Sequence, residues 1–184
     1  MVLSRFLYLS GIVLCLSGAS YLLDTALDIL APQGNPGIGT LVPVLGLMGM
    51  PGLWLSLDRR EDPAALAAYL LSMAGLAGLA ALTFTVNRLL PDLPADQRGM
   101  IVAALGPEFT AISMTFLASA VLLCIVCWRR GGLIRLGAIL YLMGAIIVGL
   151  RPFLPAALTA IDGLMIGSAL LAWGWHLLMR PAQR

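Results

Sequence analysis

The sequence predicts an all-α, polytopic membrane protein: one transmembrane bundle of six spans with both termini cytoplasmic. Three observations predict it. Hydrophobic residues fill 60% of the 184 positions and charged residues only 11%, where a soluble domain carries about 25% charged residues. Mean hydropathy is +0.97. The apolar residues also gather into six runs close to the roughly 20 residues that a helix needs to cross a bilayer, each closed by proline, glycine or charge. A soluble enzyme, a disordered tail, a coiled coil and a nucleic-acid binder are thereby excluded.

The first span is expected over Phe6–Leu30. Ser17-Gly18-Ala19 offers a small-residue cleavage site, but the run continues to Leu30, well beyond the 7–15 residues of a leader's apolar core. It is therefore read as a retained span. Pro32-Gln33-Gly34-Asn35-Pro36-Gly37 closes it. The second span, Ile38–Leu57, holds Gly39, Pro43, Gly46, Gly49, Pro51 and Gly52. Such density predicts a kinked helix, either packed closely through its glycines or unwound to expose backbone dipoles, as in transporters.

Asp58-Arg59-Arg60-Glu61-Asp62-Pro63 is a solvated turn leading into a third span, Ala64–Val86. Pro91-Asp92-Leu93-Pro94 separates it from a fourth, Met100–Trp128. Arg129-Arg130-Gly131-Gly132 precedes the fifth, Leu133–Leu150, and Arg151-Pro152 the sixth, Leu154–Leu178. All connections are short, so residues 1–184 form a single transmembrane domain.

The eleven basic residues are all arginine, which excludes Schiff-base chemistry on a lysine. With the N-terminus inside, eight of them (Arg5, Arg59, Arg60, Arg129, Arg130, Arg135, Arg180 and Arg184) fall on the inner side and three (Arg88, Arg98 and Arg151) outside, as positive charge retention requires. Trp54, Trp128, Trp173 and Trp175 fall at the inner ends, where indoles favour the headgroup level.

Six acids lie toward the outer face: Asp24, Asp28, Asp92, Asp96, Glu108 and Asp162. Ionisable residues within a span are costly unless paired or wetted, which makes Asp24, Asp28, Glu108 and Asp162 candidate functional groups. Helical spacing stacks Ser10, Ser17, Asp24 and Asp28 on one face bordered by Tyr21. Ser72, Thr83 and Asn87 form a second stripe leading to Arg88, and Glu108, Thr115 and Ser119 a third. Three inward stripes describe an outward-opening acidic pocket with Tyr21, Asp24, Asp28, Asn87, Arg88, Glu108, Arg151 and Asp162 as its ligand-binding residues. The alternative is that the acids pair with Arg88 or Arg151 while the hydroxyls bond backbone carbonyls.

Cys124-x-x-Cys127 has redox spacing but no second pair, and Cys15 stands alone. The only histidine, His176, rules out a bis-histidine haem and leaves zinc without enough ligands. No nucleophile–base pair, nucleotide loop or metalloprotease motif appears, so no catalytic residue, metal or cofactor is assigned. Gly11-x6-Gly18-Ala19 is echoed by Gly137-x6-Gly144-Ala145, the pattern of a parallel repeat relating spans one and two to spans five and six.

The stretch from Arg5 through Gly11 and Gly18 to Tyr21-Leu22-Leu23-Asp24, running on to Pro32, resembles a helix of an uncharacterised bacterial multi-span membrane family, a domain of unknown function. The resemblance lies in residues 4–57 and returns faintly at Arg135-Leu136-Gly137. It implies a bacterial inner-membrane protein of six or seven spans and carries no activity. The expected partners are the lipid bilayer and a small polar or cationic solute bound or transported through the acidic pocket. The alternative is a non-catalytic subunit or scaffold docking a membrane partner, or a second copy, through small-residue faces.

Overall fold

A backbone surrounded by hydrocarbon must satisfy its own polar groups, and a helix does so within one segment. The computed structural model, which describes residues 2–31, 37–57 and 61–179, is helical in every apolar run. The expected turns at Pro32–Pro36 and Asp58-Arg59-Arg60, and the terminal Arg180 and Arg184, lie outside the described residues.

Helix α1 spans Val2–Leu30; α2 spans Leu41–Leu55 behind a 3-10 turn at Ile38–Thr40; α3 spans Pro63–Phe84. Then come α4 (Ala95–Ala104), α5 (Gly106–Cys127), α6 (Gly132–Leu150) and α7 (Ala156–Met179). All but α4 belong to the six segments long and apolar enough to cross a membrane. The chain is thus an all-α protein with six candidate spans.

Local chemistry sets several boundaries. Asp62 caps α3, accepting the Ala64 N–H at 3.0 Å with Pro63 in the first turn, so this acid does more than sit in a solvated turn. The far end of α3 loosens into a π-helical turn, Thr85–Leu89, and a 3-10 turn, Leu90–Asp92. The fourth span begins at Gly106 where Met100 was expected. Pro107 has no N–H to continue the ladder, so Met100–Ala104 falls in the separate ten-residue α4. Helix α4 has no buried residue and packs lightly on α5.

The six spans close into a ring, each packed on its neighbours in the order α1–α2–α3–α5–α6–α7 and back to α1. Leu14, Met50, Leu53, Phe116, Tyr141, Trp173 and Leu177 fill its centre, each at most 2% exposed. Trp173 is therefore not a lipid-facing interfacial residue. It is fully buried and donates its indole N–H to the Ile134 carbonyl at 3.1 Å. Trp128 and Trp175 are exposed.

Glycine sets the closest helix approaches. A Cβ on Gly11 would strike the Gly174 carbonyl, and one on Gly18 the Gly167 carbonyl; the reverse holds from Gly174 and Gly167. The two pairs, seven residues apart on each helix, make α1 and α7 an antiparallel pair in backbone contact, the approach that small residues allow in a membrane. Gly49 and Gly52 of α2 likewise receive Leu14 and Ser10 of α1. Close packing, not unwinding, accounts for the glycine-rich second span: α2 stays helical through Pro51. The repeat echo has a different geometry in its two halves. Gly11 and Gly18 face α7, and Gly137 and Gly144 face α7 as well, against Trp173 and Ile166. Under a parallel repeat the first pair should face α2.

Candidate functional site

The inward stripes are hydroxyl-rich, and their hydroxyls are engaged. Ser17, Ser72 and Ser119 are fully buried. Ser72 and Ser119 bond carbonyls of their own helices, Ala68 and Phe116, as do Thr83 and Thr115 to Leu79 and Ala111. Ser17 crosses to α2, donating to the Val42 carbonyl at 2.7 Å.

The charged residues meet where α1 ends and α7 begins. Asp162 is 2% exposed, held on the first turns of α7 where Gly163 lets α1 approach: a Cβ there would collide with Thr25 and crowd Tyr21. The Tyr21 hydroxyl donates to the Asp162 carboxylate. Arg151, in the 3-10 turn Arg151–Phe153 between α6 and α7, places Nη2 3.3 Å from Asp162 Oδ2. The contact is an ion pair without hydrogen-bond alignment, since Oδ2 makes no hydrogen bond. Its two sides differ sharply: 59% of the arginine side chain is exposed and 3% of the aspartate. Asp24 and Asp28 complete the cluster, Asp24 within electrostatic reach of Tyr21 and Asp28 of Asp162. Asp28 is exposed.

Asp24 has a second contact, which explains its position. The first N–H groups of a helix have no intrahelical acceptor, and the helix entered at Ile38 has no side-chain cap of its own. Asp24 Oδ1 accepts the Gly39 N–H at 2.8 Å from across the α1–α2 contact. Its negative charge there also complements the helix dipole. A Cβ on Gly39 would collide with this carboxylate, so a larger residue there would displace Asp24 from its contact. On the other side of the turn, Asn87 sits over Gly37, whose φ of 69° is the left-handed conformation glycine favours. The Asn87 side-chain amide reaches Thr40 Oγ1 at 3.4 Å. A polar seam thus runs Arg151–Asp162–Tyr21–Asp24, continuing through the Gly37–Thr40 turn to Asn87 in its π-helical turn, a deviation often found at functional sites.

The structure brings together Tyr21, Asp24, Asp28, Arg151 and Asp162, and joins Asn87 through the turn. Arg88 is exposed beside Asn87. Glu108 stands apart: because α5 starts at Gly106, it lies exposed in the first turn and pairs with none of the described residues.

One residue escaped the sequence reading. Tyr141 on α6 is 1% exposed, with its ring against Phe116 and Trp173 at centroid distances of 5.2 and 5.0 Å. Its hydroxyl has no hydrogen-bond partner among the described residues, and it lies within electrostatic reach of Tyr21. The signal was a phenol midway along an apolar span, where its hydroxyl needs a partner.

Among the described residues no three His, Cys, Asp or Glu side chains converge as metal ligands. Cys124 and Cys127 are free thiols, Cys127 buried and Cys124 half-buried. Comparison of the chain with protein-family models, curated proteins and solved structures returned no match.

Proposed function

We propose that this membrane protein binds a small polar or cationic solute at the Asp162 end of the bundle, as the recognition step of its transport. One observation carries the reading: a buried carboxylate, Asp162, has as its counter-ion an arginine that is mostly in solvent. A fully buried pair would be closed to exchange. Here a cation arriving at this end of the bundle meets exposed Asp28, then competes with the Arg151 guanidinium for Asp162 Oδ2. Tyr21 keeps the carboxylate oriented while the exchange occurs. The Tyr141 hydroxyl, without a hydrogen-bond partner among the described residues, offers a solute one further hydrogen bond.

The scaffold alternative relied on small-residue faces for docking a partner. Gly163 and Gly167 of α7 are occupied by α1, and Gly78 of α3 by Ile112 of α5, which favours the solute reading. The arginine distribution supports an orientation with both termini cytoplasmic, and the family resemblance supports a bacterial inner membrane.

Thermal unfolding of the purified chain in detergent, titrated with alkali cations, guanidinium or small amines, tests the proposal. At least one should raise Tm in the parent protein, and Asp162→Asn and Asp28→Asn should each remove that rise. An unchanged response in both variants, or no response in the parent, sinks the reading.

A further inference from the structure

The two partners of the Arg151–Asp162 contact are held differently. Asp162 is fixed: its side chain is buried, Tyr21 donates to its carboxylate, and Gly163 seats α1 against its helix. Arg151 is fixed through its backbone, which closes α6 and accepts the Leu154 N–H at 3.3 Å. Its guanidinium comes within 3.3 Å of Asp162 Oδ2, yet that oxygen receives no hydrogen bond. The arginine supplies charge to Oδ2 without an aligned donor.

A free cation carrying N–H groups has no tether and can align on the same oxygen. A charge-assisted hydrogen bond of that kind is roughly twice as strong as a neutral one. Nor is a displaced Arg151 stranded. Most of its side chain is already in solvent, and the last carbonyls of α6 favour a positive charge beside them. The chemistry of the open position also selects its occupant. One carboxylate oxygen suits directed N–H donors, whereas an oxygen-ligated metal ion takes several ligands. Among the described residues no three acidic, histidine or cysteine side chains converge to supply them.

We infer that Arg151 is a tethered competitor: it fills the cation position on Asp162 in the empty protein and yields it to a small organic ammonium or guanidinium ion. This rests on the solute reading above and narrows it to one class of cation. The two possible roles of Arg151 have opposite signs. Removing a residue that holds the solute weakens binding; removing a competitor tightens it. Apparent affinity scales with the fraction of molecules whose site is open, so a competitor in place nine-tenths of the time weakens binding about tenfold.

Thermal unfolding of the purified full chain in detergent, titrated with methylguanidinium, ethylammonium, tetramethylammonium or sodium chloride, tests the inference. The first two should raise Tm of the parent protein. Tetramethylammonium, which has charge but no N–H, and sodium should not do so over the same range. Arg151→Gln should reach half its Tm rise at about tenfold less methylguanidinium than the parent. Arg151→Lys, which keeps a tethered cation, should stay close to the parent, and Arg151→Gln combined with Asp162→Asn should not respond. If Arg151→Gln fails to fold alone, methylguanidinium present from extraction onward should recover it, and no recovery would overturn the competitor. A parent that responds while Arg151→Gln binds no tighter overturns the competitor and leaves the solute site standing. An equal response to sodium or tetramethylammonium overturns the cation class. No response in any chain removes the solute site and the inference with it.

Discussion

Arg151 Nη2 lies 3.3 Å from Asp162 Oδ2, coupling a guanidinium that is mostly exposed to a carboxylate that is almost wholly buried. The asymmetry decides which partner the fold depends on. Removing Arg151 leaves a charge inside the protein; removing the Asp162 charge leaves an arginine that water solvates. Arg151→Gln should therefore destabilise the protein by about 1–3 kcal/mol, the cost of a buried group deprived of its partner. Adding Asp162→Asn to that variant should restore most of the loss. A double-mutant cycle on reversible unfolding in micelles measures the coupling, and additive effects would show that the pair contributes nothing.

Asp24 combines a structural contact with a candidate binding role, and the two are separable. Its Oδ1 caps the helix that begins at Ile38 through the Gly39 N–H. Asparagine preserves an acceptor at that position and alanine does not. Asp24→Ala should lose about 1 kcal/mol, as for other removed N-caps, with Asp24→Asn losing much less. If Asp24 also serves the solute site, Asp24→Asn should reduce cation-dependent stabilisation while keeping the unliganded Tm. Equal Tm losses in both variants would contradict the capping contact.

The α1–α7 seam gives the sharpest steric prediction. Gly18 and Gly167 meet backbone to backbone, so a methyl group on either must push the helices apart. Gly18→Ala and Gly167→Ala should each cost about 1–3 kcal/mol, the range for overpacking a filled interior. Gly99 of α4 has nothing within reach of a Cβ. Gly99→Ala should be neutral or stabilising by up to about 1 kcal/mol through helix propensity. Thermal unfolding of the three variants reads the contrast, and a similar Tm for all three would refute the seam.

Two buried serines of like chemistry should behave differently. Ser17 donates across helices to the Val42 carbonyl, whereas Ser72 bonds Ala68 within its own helix. Interhelical hydrogen bonds in membrane proteins average about 0.6 kcal/mol. Ser17→Ala should lose roughly that much, and Ser72→Ala almost nothing. Unfolding free energies resolved to a few tenths of a kcal/mol check it.

Residue patterning carried the class, the number of spans and most of the inward-facing hydroxyls. Ser10, Ser17, Ser72 and Ser119 are all buried, because a 3.6-residue period fixes which side chains share a face. Boundaries were less legible. Met100–Ala104 is apolar enough to extend a span, and only the missing N–H of Pro107 and the packing of α5 end it at Gly106. Glu108 left the candidate site for that reason: a shift of the helix start by about two turns moves it from within the span to its exposed end. Trp173 looked interfacial because its sequence position lies near a span end. The ring closure by α6 and α7 buries it instead.

Composition alone dictates the solvent in which this chain folds, since 60% hydrophobic residues with 11% charge cannot all be hidden from water by packing. The sequence also determined which few residues were expensive enough to need partners. Who those partners are was a tertiary decision. Asp24 finds Gly39 fifteen residues away, and Asp162 finds both Arg151 and Tyr21, because glycine contacts bring α1 against α7 and α2 closely enough for short side chains to meet. Periodicity assigns a face to a residue. Only the packing of helix on helix sets which residue lies opposite.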